Sequence, residues 1–214
     1  MSGFFVLEGI DGAGTTTQAA RLHAHLLAKS GAALLTAEPS TGPIGALIRQ
    51  ALARRIVLPP KAGAGPLDTD AMALLFAADR MDHLAAEIAP ALEAGIPVVS
   101  DRYYHSSYAY QGSETELEFV RSLNARARVP DLTILLDLPP EVAMERVRLR
   151  LAATGKSADL YETIAIQQRV AEAYRRLPAL LSKERIIVID ATQAVDRVQQ
   201  EILDLVESEL PSQR

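Results

Sequence analysis

The chain has 214 residues, 49% of them hydrophobic and 23% charged, a balance that builds a core and excludes wholesale disorder. It has no cysteine, which excludes a disulfide scaffold, a thiolate zinc site and a cysteine nucleophile. With 22 Lys and Arg against 27 Asp and Glu the net charge is −5, which argues against a broad nucleic-acid-binding surface, and no apolar run approaches the roughly 18–20 residues of a membrane span.

The chain opens on Met-Ser-Gly-Phe-Phe-Val-Leu, without a basic leader or a small-residue cleavage site, so the expected location is the cytoplasm. Phe4–Glu8 is a short apolar run ending in a Gly-rich turn and predicts a buried strand. Ala19, Leu22, Leu26 and Leu27 recur at helical spacing within Thr15–Ser30. Ala33–Glu38 predicts a second strand, stopped by Pro39, and Ile44–Leu52 a helix entered through Gly42 and Pro43. Residues 59–66, with Pro59, Pro60 and Pro66 and two glycines, read as a loop, and Asp68–Glu93 as one long helix ended by Gly95. Ile96–Ser100, Leu132–Asp137 and Ile186–Asp190 predict three further strands. Tyr103–Gln111 predicts a helix of mixed faces. Pro140–Leu151, Leu160–Leu181 and Gln193–Leu210 predict helices, with a polar break over Thr154–Asp159. Strands that are apolar throughout and separated by helices predict an α/β fold: a five-stranded parallel sheet covered on both faces. Residues 1–214 read as one domain, and the polar break as part of a helical lid over about residues 146–160.

The strongest local signal is Gly9-Ile10-Asp11-Gly12-Ala13-Gly14-Thr15-Thr16, which follows the first strand and opens the first helix. That is the context of the phosphate loop G-x-x-x-x-G-K-[ST], whose backbone N–H groups converge on one anion at a helix N-terminus. Thr16 stands where the motif places the hydroxyl that binds Mg²⁺. The lysine position is Thr15, and a neutral hydroxyl gives a hydrogen bond roughly half as strong as a charged donor. Three readings of that exchange stay open: a cation from elsewhere substitutes, the enzyme is slow, or the loop binds nucleotide without turning it over. His23, His25, His83 and His105 lack the spacing and acidic company of a zinc site.

Further blocks carry a resemblance. Leu7-Glu8-Gly9-Ile10-Asp11-Gly12-Ala13-Gly14 with Thr17-Gln18, Glu38-Pro39 with Gly42-Pro43-Ile44-Gly45 and Ile48-Arg49, and Leu74-Leu75-Phe76-Ala77-Ala78-Asp79-Arg80 with His83 come first. Asp101-Arg102-Tyr103 leading into Ser106-Ser107-Tyr108-Ala109-Tyr110-Gln111-Gly112, and Pro130-Asp131-Leu132 through Asp137-Leu138-Pro139-Pro140-Glu141, follow in the same order. Together they resemble the thymidylate kinase family. The departures are Thr15 and Ala37, where many members have Arg before Glu-Pro.

The resemblance implies a three-layer P-loop NTPase fold with a helical lid, and transfer of the γ-phosphoryl group of ATP to dTMP with Mg²⁺. Gly9, Ile10, Asp11, Gly12, Ala13, Gly14, Thr15, Thr16 and Thr17 would hold the donor phosphates. Asp101, at the carboxyl end of the third strand, would share Mg²⁺ with Thr16. Arg102, planar and permanently charged, would take the acceptor phosphate, with Arg49 as a further candidate. Asp11 would face the acceptor sugar. Phe76 and Arg80, four apart on one helix face, would take the thymine, with Ser107 and Gln111 reaching the base and Glu38 as a polar support. Tyr110 would abut C2′ and disfavour ribose. Arg146 would pack on adenine, and Arg150 or Lys156 would supply the cation absent at Thr15. The family is commonly homodimeric. Two rival expectations are a nucleotide-binding pseudokinase, supported by Thr15 alone, and a kinase for another deoxynucleotide such as dUMP.

Overall fold

Strands Phe4–Gly9 (β1), Leu34–Ala37 (β2), Val98–Asp101 (β3), Leu132–Asp137 (β4) and Ile186–Asp190 (β5) form one parallel sheet in the order β2-β3-β1-β4-β5. The structure is a computed structural model that describes residues 3–56, 67–155, 161 and 163–209. Every residue of β1 is buried, and so is all of β4 except Asp137, whereas the edge strands β2 and β5 are half exposed. Central strands covered on two faces need apolar side chains at every position; edge strands do not. The third strand begins at Val98, two residues later than the apolar run, because Pro97 has no N–H for the ladder; its carbonyl still accepts from Leu34 N–H at 2.8 Å.

Helices Thr15–Ser30 (α1) and Val195–Glu209 (α9) pack against each other and the sheet. Helices Tyr104–Ala109 (α5) and Ile164–Leu180 (α8) likewise pack together and on the sheet. Pro140–Thr154 (α7) leans on α8. Pro43–Leu52 (α2) packs on Thr69–His83 (α3), around a small cluster of Ile48, Ala51 and Met72.

Three stretches depart from the sequence expectation. The long helix over residues 68–93 is interrupted: α3 gives way to a π turn, Leu84–Ile88, before Ala89–Glu93 (α4). Pro90 has no N–H and its ring would strike the carbonyl four residues back, so the ladder widens; Ala89 N–H bonds Leu84 O. The tyrosine-rich run is shorter than expected, with α5 followed by a 3₁₀ turn, Gln111–Ser113. Leu117–Leu123 (α6) was not anticipated; seven residues without a side-chain cap leave little periodic signal. Among the described residues no helix is long and apolar enough to cross a membrane.

The register sets the site. Asp101 pairs with Leu7 and Ala37, and Gly9 with Leu136, so the carboxyl ends of β1, β2, β3 and β4 meet at one sheet edge. The chain leaves β1 toward β2 and β3 on one side and later returns to β4 on the other, a switch point at which open α/β sheets bind ligands.

Candidate active site

The loop from Gly9 to Thr16 closes on itself through Ala13 N–H to Ile10 O at 3.0 Å. Gly12 and Gly14 take φ of 89° and 100°, the left-handed region that side chains rarely adopt, and a Cβ at Gly12 would strike the Ala143 carbonyl on α7. Gly14 is the N-cap of α1 and offers no side-chain acceptor, so the first N–H groups of the helix remain available to an anion. A cleft of about 610 Å³ opens over this loop, lined by residues 11–18 together with Arg102, Arg146, Arg150 and Gln193.

Thr16, which lines this cleft, donates its hydroxyl to Asp101 Oδ2 at 2.5 Å; Asp101 itself lines neither this cleft nor the second one, and its Oδ1 is buried without a hydrogen-bond partner among the described residues. A hydroxyl beside an oxygen with unspent acceptor capacity suits a hard cation that keeps most of its ligands from phosphate and water. Among the described residues no cluster of three or more His, Cys, Asp or Glu offers a cage for a metal ion.

A second cleft, of about 200 Å³, lies on the other side of Asp11 and Arg102, which line both. Arg102 donates to Asp11 Oδ1 at 2.7 Å, to Ser106 Oγ at 3.2 Å and to the Tyr174 hydroxyl at 3.3 Å, and its guanidinium sits 5.3 Å over the Tyr110 ring. Phe76, Arg80, Glu38, Tyr110, Gln111 and Tyr161 continue the wall. Phe76 is half-buried and also touches the α2–α3 cluster, so it serves core and cleft at once. Arg80 is fully buried: Nε and Nη2 donate to Glu38 Oε2 at 2.9 and 2.6 Å, Nη2 to Ser107 Oγ at 3.1 Å, and Nη1 to Asn124 Oδ1. Tyr110 is buried, its hydroxyl without a hydrogen-bond partner among the described residues, and burial pushes its pKa well up. Gln111 Nε2 donates to the Tyr161 hydroxyl at 3.3 Å, and burial pushes the Tyr161 pKa to about 12. Both phenols stay neutral at physiological pH.

The remaining expected residues fall in different places. Ser107 supports Arg80 and does not line the cleft. Arg49 turns its guanidinium onto the carbonyls of Pro39 and Ser40, at 2.9 and 2.5 Å, and does not line it either. Arg146 donates to Ala191 O at 3.2 Å and, with Arg150, lines the loop cleft from α7. Lys156 and the residues 156–160 of the expected lid lie outside the described residues.

Several contributors take no role from the sequence: Glu8 and Asp79 stand inside the blocks that carry the resemblance, and Gln167 outside them. Glu8 is buried at the end of β1 and accepts from Tyr103 N–H at 2.8 Å, Ser106 Oγ at 2.6 Å and the Tyr174 hydroxyl at 2.8 Å. Burial raises its pKa despite His105 and the bonds from Ser106 and Tyr174. Glu8 thereby fixes the hydroxyls that hold Arg102. Asp79 accepts from Ser40 N–H and Oγ at 2.7 and 2.6 Å, tying the turn after Glu38 to α3. Gln167 on α8 bonds Asp11 twice. A polar residue within an apolar strand flags Glu8; nothing in the sequence flags Gln167.

A phosphate loop at a switch point, a carboxylate–hydroxyl pair beside it and a second cleft across a shared ion pair define a P-loop nucleotide-binding protein of the kinase type. A sequence model described as thymidylate kinase matches residues 7–202. Over 212 residues the chain is 37% identical to the "Probable thymidylate kinase" of Pyrococcus horikoshii, covering 98% of each chain. Over 209 residues it is 39% identical to the protein of the same name from Thermococcus kodakarensis, covering 96% of this chain and 97% of that one. Over 207 residues it is 40% identical to the "Thymidylate kinase" of Bifidobacterium longum, covering 92% and 94%. The chain belongs to the thymidylate kinase family.

Proposed function

We propose that this chain transfers the γ-phosphoryl group of ATP to dTMP, giving dTDP and ADP. The observation that carries this is the Asp11–Arg102 pair, 2.7 Å apart, which lines both clefts. Two phosphates approaching from opposite sides would meet there. Phosphoryl transfer needs positioning and charge neutralisation more than covalent work.

In the loop cleft, the backbone from Gly9 to Thr17, the Asp11 N–H aside, and the open N-terminus of α1 cradle the donor phosphates. Thr16 and Asp101 would hold Mg²⁺, which when bound neutralises donor phosphate charge. In the second cleft Arg102 takes the acceptor phosphate and offsets the repulsion of two anions, and Asp11 meets the acceptor sugar. Glu38, Ser107 and Asn124 occupy four of the five Arg80 N–H groups, which fixes the guanidinium and leaves one Nη1 hydrogen for a base carbonyl. Phe76 stacks on the base, Gln111 completes its edge, and the Tyr110 ring fills the space a ribose 2′-hydroxyl would need. Arg49 approaches the acceptor phosphate only by leaving its two carbonyls. Arg146 flanks the adenine. Residues 1–214 work as one domain, in a cytoplasmic homodimer, which light scattering tests.

Thr15 cannot carry charge to the transferring phosphate, and Arg150 lines the same cleft. Arg150 supplies that charge, with Lys156 as the other candidate. Arg150→Ala then lowers kcat by about 10²–10³-fold, and adding Thr15→Lys recovers much of the loss. Unchanged turnover in Arg150→Ala and in Thr15→Lys rejects this assignment. Turnover of dTMP, dUMP, TMP and thymidine as acceptors tests the function itself: dTMP is preferred, and equal use of dUMP or TMP contradicts the thymine and deoxyribose assignments.

A further inference from the structure

We infer that Gln167 is a positioning residue that aims the Asp11 carboxylate and links the phosphate loop to the tyrosine-lined wall of the second cleft. The inference rests on the proposed phosphoryl transfer and deepens it.

Gln167 lies on α8, 156 residues from Asp11, and is fully buried. Its Nε2 donates to Asp11 Oδ2 at 2.8 Å and to the Tyr161 carbonyl at 2.9 Å, and its Oε1 accepts from Asp11 N–H at 3.1 Å. This pattern fixes the amide orientation, since a flipped amide would face N–H to N–H and oxygen to oxygen. Arg102 holds the other Asp11 oxygen at 2.7 Å. Asp11 is thus gripped at both carboxylate oxygens and at its backbone, and the carboxylate cannot turn. The Asp11 N–H is spent on Gln167 and not on an anion.

The same amide reaches Tyr161, whose ring lies 5.3 Å from that of Tyr110 and whose hydroxyl accepts from Gln111. One side chain therefore sets the distance between the loop and the aromatic wall. Asp11 and Arg102 stand where the two ligands would meet. A shift of about 1 Å at such a point costs on the order of a hundredfold in rate without removing any group that touches a ligand.

The test is steady-state kinetics of Gln167→Leu, which keeps the volume and removes both donor and acceptor. The expected result is a fall in kcat of about tenfold to a hundredfold with KM for ATP within about twofold. Gln167→Glu, equal in size but with a carboxylate facing the Asp11 carboxylate, falls further. In an Asp11→Asn background, where the charge that pairs with Arg102 is already gone, Gln167→Leu costs less than about threefold. Full additivity with Asp11→Asn, or a loss that follows the folded fraction measured by circular dichroism, makes Gln167 a packing residue and overturns the inference. So does a kcat within twofold of the unsubstituted chain. If the unsubstituted chain forms no ADP in response to dTMP, the proposed function fails and the inference fails with it.

Discussion

Arg102 shows how much one residue is asked to do. Its φ of 74° lies in the left-handed region, which a long side chain enters at a cost of about 1–3 kcal/mol. The surroundings hold it there. Its N–H donates to Leu7 O at 2.9 Å, its carbonyl accepts from Ser100 Oγ at 2.7 Å, and its guanidinium is taken by Asp11, Ser106 and Tyr174. The kink turns the side chain from the end of β3 into the wall between the clefts. Arg102→Ala is expected to lower kcat/KM for dTMP by about 10²–10³-fold while leaving ATP affinity nearly intact, measured by coupled kinetics and calorimetry. Asp101-Arg102 was legible in the sequence because strand end and charge coincide. The residues that hold Arg102 were less so: Ser106 and Tyr174 match the family but carry no legible role until Glu8 aligns their hydroxyls.

Between elements, the buried polar network does what apolar packing does elsewhere. His105 on α5 lies 3.0 Å from Glu184 Oε2, and the Tyr104 hydroxyl donates to the same oxygen at 2.6 Å, fastening α5 to the turn before β5. Burial by itself would raise the Glu184 pKa; the bonds from His105 and Tyr104 outweigh it and hold the carboxyl below its ordinary 4.5. A depressed carboxyl stabilises the fold above the unfolded-state value, and that contribution is lost as pH falls through the folded-state value. Glu184→Gln is therefore expected to cost about 1–3 kcal/mol near neutrality, with the difference from the unsubstituted chain shrinking below pH 4.5 in urea titrations. A difference that grows on acidification contradicts this. The π turn at Leu84–Ile88 and the short α6 escaped the sequence for a shared reason: periodicity over one or two turns is too brief to separate a widened or truncated helix from its neighbours.

Across the whole molecule, the sheet was readable because its central strands are apolar at nearly every position, and the loop because glycine spacing is a backbone requirement. The clefts were less readable, since they are made by residues far apart in the chain. Gln167 reaches Asp11 and Asn124 reaches Arg80, and neither stands out from an ordinary helix or turn residue; Tyr161, in the pair Tyr161-Glu162 that resembles the family, reaches Gln111. What the fold adds to the motifs is one wall, Asp11 and Arg102, facing both ways. If that wall is where phosphate passes, ATP labelled in its γ-phosphate, incubated with Mg²⁺, dTMP and the full chain, yields label in dTDP in step with ADP release. Label found only as inorganic phosphate, or ADP release indifferent to dTMP, would contradict it.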